Sequence, residues 1–235
     1  QVLRLAISFG TMPLSAPELD LRRFKNRIYL ETGFLHGESA LRALASGHFQ
    51  RVISLEVSRA HYEEGCEKLK LPIAAGLLDL RLADSSDMWD HICDIDEPIT
   101  FFLDAHDDQG TTERGGLHDA PRKPCPLFDE LAAIARHPVR THTILIDDRR
   151  CFNPGFSHPW HTWFDGVQED DIRSRLLEIN PDYELFTIPG LEKDDILVAA
   201  LPAATTAKSG ESATATSSKS GLPSSAMAGI ASFMG

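Results

Sequence analysis

Short apolar runs that break off at an acid, most of them followed by a stretch with helical spacing, most constrain what this chain can fold into. Arg27–Glu31, Val52–Glu56, Asp79–Ala83, Ile99–Asp104 and Thr143–Ile146 are such runs. Ser39–Ala45, Arg59–Leu69, Leu127–Ala135 and Asp170–Ile179 carry apolar residues at helical spacing. Strand–helix alternation of this kind predicts a parallel sheet covered on both faces. Runs that are apolar throughout fit strands buried on both sides. Tyr183–Ile188 and Ile196–Leu201 are separated only by P-G-L-E-K-D-D, which predicts a closing antiparallel hairpin. The expected fold is therefore α/β, a doubly wound and mostly parallel seven-stranded sheet with a C-terminal antiparallel hairpin.

The expected organisation is an N-terminal extension over 1–26, one domain over 27–202, and a tail over 203–235. The tail is dominated by Ala, Ser, Thr and Gly, a composition that cannot bury enough apolar surface to offset its ordering entropy. The formal net charge of −12 argues against nucleic acid or an anionic membrane surface as the main partner. There is no apolar run of membrane length and no evident secretory signal. The first residue is Gln1, so a removed leader stays open. Cys66, Cys93, Cys125 and Cys151 are widely spaced, which favours free thiols in a reducing, cytoplasmic setting over a disulfide framework. The sequence leaves monomer and homo-oligomer both open.

In doubly wound sheets, ligands bind beyond the carboxyl ends of the strands. The first strand ends E-T-G-F-L-H-G-E-S, Glu31 to Ser39, where Gly33 and Gly37 bracket a turn into a helix. Such a turn admits close approach of a ligand to backbone N–H groups, or is an ordinary strand–helix connection. It is not the G-x-G-x-x-G dinucleotide fingerprint. Glu56 ends the second strand roughly 20 residues on, where an acid accepts hydrogen bonds from ribose hydroxyls; the alternative is a helix cap. Asp84 and Ser85 follow the third strand and suit either an adenine amino group or a cap.

The fourth strand ends L-D-A-H, with Asp104 and then His106, a general-base candidate because its pKa lies near neutrality. The fifth ends I-L-I-D-D-R-R. If the fourth and fifth strands are neighbours, Asp104, Asp147 and Asp148 converge. Clustered carboxylates raise one another's pKa unless a cation neutralises them. Oxygen ligands suit Mg²⁺, Mn²⁺ or Ca²⁺; Arg149, Arg150 or Arg114 are the competing counter-charges. Two long connections follow these strands. The second holds Phe152, Phe156, Trp160, Trp163 and Phe164, suggesting a lid, an acceptor pocket or a plain hydrophobic flap; His158 and His161 match a metal pair only in spacing.

E-T-G-x-x-x-G-x-S, F-F-L-D-A-H, P-L-F-D-E-L and I-L-I-D-D-R-x-x-F, over about residues 27–201, resemble the class I S-adenosylmethionine-dependent methyltransferases. Within that family they look like bacterial proteins similar to metal-dependent sugar O-methyltransferases. The resemblance implies S-adenosylmethionine as cofactor, Mg²⁺ as its companion, and a sugar or small hydroxylated metabolite as acceptor. It places Glu31, Thr32, Gly33, Gly37, Ser39, Glu56, Asp84, Ser85 and Asp104 around the cofactor. It gives the metal to Asp104, Asp147 and Asp148, and the acceptor's proton to His106 or Asp104. A non-catalytic module on the same fold is the alternative; a nicotinamide-dependent oxidoreductase lacks its glycine pattern.

Overall fold

The computed structural model describes residues 21–24, 26–106, 125–153, 164 and 166–202. The expected extension, apart from its last residues, and the tail over 203–235 lie outside them. So do Asp107, Asp108, Arg114, Phe156, His158, Trp160, His161 and Trp163.

The strands are β1 (Ile28–Thr32), β2 (Arg51–Glu56), β3 (Leu78–Leu82), β4 (Ile99–Leu103), β5 (Thr143–Ile146), β6 (Glu184–Ile188) and β7 (Ile196–Ala200). They form one sheet in the order β3-β2-β1-β4-β5-β7-β6. Pairing from β3 through β5 is parallel. β7 runs antiparallel to both β5 and β6, which makes the closing hairpin. This is the expected architecture. Every residue of β1, β4 and β5 is buried, as continuous apolar runs require.

Alternation along the strands supplies two cores. Leu30, Ile53, Phe101 and Ile144 face one side; Tyr29, Val52, Phe102 and Leu145 face the other. The first side is covered by α4 (Trp89–Ile92), α5 (Leu127–Arg136) and α7 (Glu169–Ile179) through Ile92, Leu131, Ile134, Ile172 and Leu176. The second is covered by α1 (Glu38–Ser46) through Ala40, Leu41 and Ala43, with Leu21, Phe24 and Leu69 around it. Each fully buried Leu, Ile or Phe contributes about 1.5–3 kcal/mol relative to exposure.

Local signals set the helix ends. Ser58 caps α2 (Arg59–Lys68) by accepting the His61 N–H. Gly47, at φ +63°, closes α1. The helix expected to end at Leu69 does break there. It restarts as α3 (Lys70–Ala74), because Pro72 lacks the N–H that would reach back to Lys68. The single turns α4 and α6 (Arg149–Phe152) have too few residues to show a period, and neither was expected. No helix among the described residues is long and apolar enough to cross a membrane.

Candidate functional site

The register β4–β5 pairs Leu103 with Ile146, so both strands stop at the same height. Asp147 N–H donates to the Leu103 carbonyl at 3.1 Å, which holds the two acid-bearing turns together. Asp148 then adopts a left-handed conformation at φ +58°, uncommon outside glycine. That turn lifts its carboxylate toward β4. His106 Nδ1 lies 3.3 Å from Asp148 Oδ2 and 4.0 Å from Asp104 Oδ1. Asp104, His106 and Asp148 each present one ligand atom, and these atoms lie within 4.8 Å of one another. Of the three acids expected to converge, Asp104 and Asp148 meet in this group, and His106 stands where Asp147 was expected.

Asp147 stands differently. Its Oδ1 accepts the Asp148 N–H at 2.8 Å. Its Oδ2 is buried and has no hydrogen-bond partner among the described residues. Burial, reinforced by Asp148, pushes the Asp147 carboxyl up to about 7. Burial, then Asp147 and Asp148, also holds Asp104 well above the usual carboxylate range. Charge of one sign has been gathered where water is scarce.

Among the described residues, one cation answers it. Arg150, only 5% exposed, reaches Asp148 Oδ1 at 2.5 Å and also pairs with Asp195. Asp195, fully buried just before β7, accepts as well from the N–H groups of Arg150 and Leu191, at 3.1 Å each. Of the counter-charges weighed from sequence, Arg150 pairs with Asp148, and Arg114 lies outside the described residues. Arg149 turns instead to Glu169 at 2.8 Å.

The glycine turn is built around Phe34. Gly33 sits at φ +82°, and a Cβ there would lie 2.9 Å from the Asp104 carbonyl oxygen, so β1 and β4 approach closely only with glycine. Gly37, at φ +76°, leaves room for the Phe34 ring, and so does Gly65 on α2. Glu56 is 4% exposed; its two oxygens accept the N–H groups of Leu35 at 2.8 Å and Ser58 at 2.6 Å. Glu56 thus holds the glycine turn closed against β2, and each oxygen keeps a second lone pair for a ribose hydroxyl.

Glu31 and Thr32 are fully buried. Glu31 bonds Ser54 at 2.6 Å, Tyr29 at 3.3 Å and Ser39, and burial pushes it up to about 7. Glu31 and Ser39 therefore tie β1 to β2 and α1 from beneath the turn. Thr32 Oγ1 accepts the Asp104 N–H at 3.3 Å. Asp84 caps the turn after β3 through the Ser86 N–H at 3.0 Å, the capping alternative read from sequence. Ser85 is buried and bonds Glu130.

A small cleft opens over these groups, lined by Asp104, Asp147, Asp148, Glu130, Cys125 and Phe164, with Leu103, Ile146 and Leu127 behind them. Phe164 is buried and its ring centre lies 5.8 Å from that of His106, so an aromatic side chain does flank the acids. Burial pushes the Cys125 thiol up to about 12, which leaves it unreactive near neutrality.

No family model matches the sequence, and no curated protein matches it. Solved structures do match in fold. The SAH-bound methyltransferase PaMTH1 of Podospora anserina aligns at a TM-score of 0.52 and 17% identity, over 76% of this chain and 73% of that one. The chain has the class I methyltransferase fold. An O-methyltransferase of Bacillus cereus, solved in complex with SAH, aligns at 0.46 and 19% identity, over 76% of this chain and 75% of that one.

On that fold the cleft lies beyond β4 and β5, with the glycine turn and Glu56 beside it. Asp195 and Glu130 are the residues that reading the strand ends missed. Arg150 meets Asp195 across 45 residues, which no local pattern reveals. Glu130 left a signal: it shares the helical stripe of Leu127, Leu131 and Ile134, where an acid is out of place.

Proposed function

We propose that this chain is an S-adenosylmethionine-dependent methyltransferase, and that it carries out metal-assisted O-methylation of a sugar or other small hydroxylated metabolite. The observation that carries this reading is the buried Asp147 Oδ2 without a partner, beside the cluster of Asp104, His106 and Asp148. A buried carboxylate oxygen with no hydrogen bond is costly, and a bound cation relieves that cost. The donors are carboxylates and one imidazole, which suit Mg²⁺ or Mn²⁺. The residues present therefore fit a divalent ion, which Asp104 and Asp148 would hold, with His106 in the same group and the Asp147 carboxylate beside it.

When bound, S-adenosylmethionine supplies an electrophilic methyl group, and the ion supplies positive charge that lowers the pKa of an acceptor hydroxyl. Glu56 and the Gly33–Gly37 turn hold the ribose and methionine parts. His106, beside Asp148, would take the proton of the acceptor hydroxyl as the methyl group is transferred. Phe164 and Phe152, both buried beside the cleft, keep water from the reacting oxygen. Alignment of acceptor and methyl group contributes most of the rate.

One observation favours a non-catalytic module on the same fold: Arg150 already occupies Asp148 Oδ1, and Glu56 is engaged by two N–H groups. Calorimetry separates the readings. The methyltransferase reading predicts that S-adenosylhomocysteine binds, that NAD does not, and that Glu56→Ala weakens the homocysteine ligand at least about tenfold. No heat from S-adenosylhomocysteine at millimolar concentration would leave the binding-module reading standing.

A further inference from the structure

Glu130 is the buried acid that the proposed reaction leaves unused. It lies in the first turn of α5 and is 1% exposed. An acid in a first helical turn ordinarily faces water and complements the helix dipole. This one points into the fold. The side chains of Ser85 and Thr32 hydrogen-bond it. Its Oε1 has no hydrogen-bond partner among the described residues, and the residue lines the same cleft as Asp104 and Asp147. The charges that act on it come from Asp84 and Asp129, and both oppose its ionisation. A helix that needed only a core contact there would do better with the Leu or Ile it carries at 131 and 134.

We propose that Glu130 is a positioning residue for Asp104. The Thr32 hydroxyl accepts the Asp104 N–H at 3.3 Å, so its own proton is free to go to Glu130. The chain Glu130–Thr32–Asp104 thereby sets the plane of the Asp104 peptide and the direction of its carboxylate. Through Ser85, the same acid anchors the turn after β3. One side chain on α5 thus binds the ends of β1 and β4 and the turn after β3 into a single frame, leaving one carboxylate oxygen turned to the cleft. The methyltransferase reading explains why Asp104 must be held in place; the hydrogen-bond chain itself requires no ligand.

Hydrogen exchange of the Asp104 amide tests the chain directly in the full protein. Glu130→Ala is expected to speed exchange at Asp104 by about fivefold or more relative to the β4 amides, and Glu130→Gln, which keeps an acceptor, to restore it. Thr32→Val removes the relay hydroxyl with little change of shape, and is expected to reproduce the Glu130→Ala effect. Equal protection of Asp104 in wild type, Glu130→Ala and Thr32→Val overturns the proposal. S-adenosylhomocysteine titrations of the same proteins supply a second readout: about a fivefold loss for Glu130→Ala and recovery in Glu130→Gln. A wild-type protein that fails to bind this ligand counts against the methyltransferase reading alone, since the exchange result is obtained without it.

Discussion

The two edges of the sheet both bury ionisable groups, and they treat them in opposite ways. At the amino edge, His142 precedes β5 and His137 ends α5, both fully buried. His142 Nδ1 accepts the Ile99 N–H at 3.1 Å, so its Nε2–H donates to His137 Nδ1 at 3.1 Å. The His137 Nε2–H then donates to the Ile92 carbonyl at 3.1 Å. Every ring nitrogen is used, and only the neutral rings fit this chain. At the carboxyl edge, Asp147 and Glu130 each keep a buried oxygen with no partner among the described residues. A satisfied buried network adds rigidity, whereas a half-satisfied one is a cost that a structural role does not explain. The amino edge joins α4, β4 and β5; the carboxyl edge turns acids toward the cleft.

The largest test of this contrast lies within the carboxyl edge. Asp195→Ala leaves Arg150 buried with half of its charge pairing removed, and is expected to destabilise the protein by about 3–5 kcal/mol in urea unfolding. At the amino edge, His142→Ala orphans the Ile99 N–H and opens a cavity, for about 2–4 kcal/mol. If His142→Ala costs nothing, the histidine chain is not the structural tie described.

The edges also differ in how stability depends on pH. Burial holds His142 down at about 3. The unfolded chain takes up that proton near pH 6.5 and the folded one does not. Its contribution is therefore complete above about 6.5 and falls by up to about 1.4 kcal/mol per pH unit below it. Glu31 and Glu130 run the other way. Burial pushes each up to about 7, above the unfolded value near 4.3, so the folded state holds the extra proton between these limits. Their contribution grows as pH falls from 7 toward 4.3. In urea unfolding across this range, wild type should gain on Glu130→Gln as pH falls and lose ground to His142→Ala. Parallel curves for the two variants would erase the distinction.

A smaller effect is expected where the edges share no chemistry. Gly33→Ala places a Cβ at 2.9 Å from the Asp104 carbonyl in a left-handed conformation, for about 1–3 kcal/mol. It should also displace Asp104, so weakened ion binding ought to accompany the lost stability.

Much of this was legible in sequence. Ile144-Leu145-Ile146 followed by Asp147-Asp148 reads as a buried strand reaching its ligand edge, because full burial demands an unbroken apolar run. The same logic places Asp104 and His106 after Phe101-Phe102-Leu103. What the sequence did not carry was partnership. That Asp148 shares itself between Arg150 and the His106 side depends on one left-handed residue and on Asp195 far along the chain. That Glu56 closes the glycine turn through Leu35 N–H depends on the φ of +48° at Leu35. Such tertiary hydrogen bonds leave no period in a sequence.

The proposal to be tested is that Asp104, Asp147 and Asp148 at the carboxyl edge hold a divalent ion. Titration of the full chain with Mn²⁺, followed by electron paramagnetic resonance, tests it most directly. The account predicts one site in wild type, weakened at least about tenfold by Asp147→Asn and absent in Asp104→Asn combined with Asp148→Asn. A wild-type protein that binds no Mn²⁺, or binds it equally well in all three forms, contradicts it.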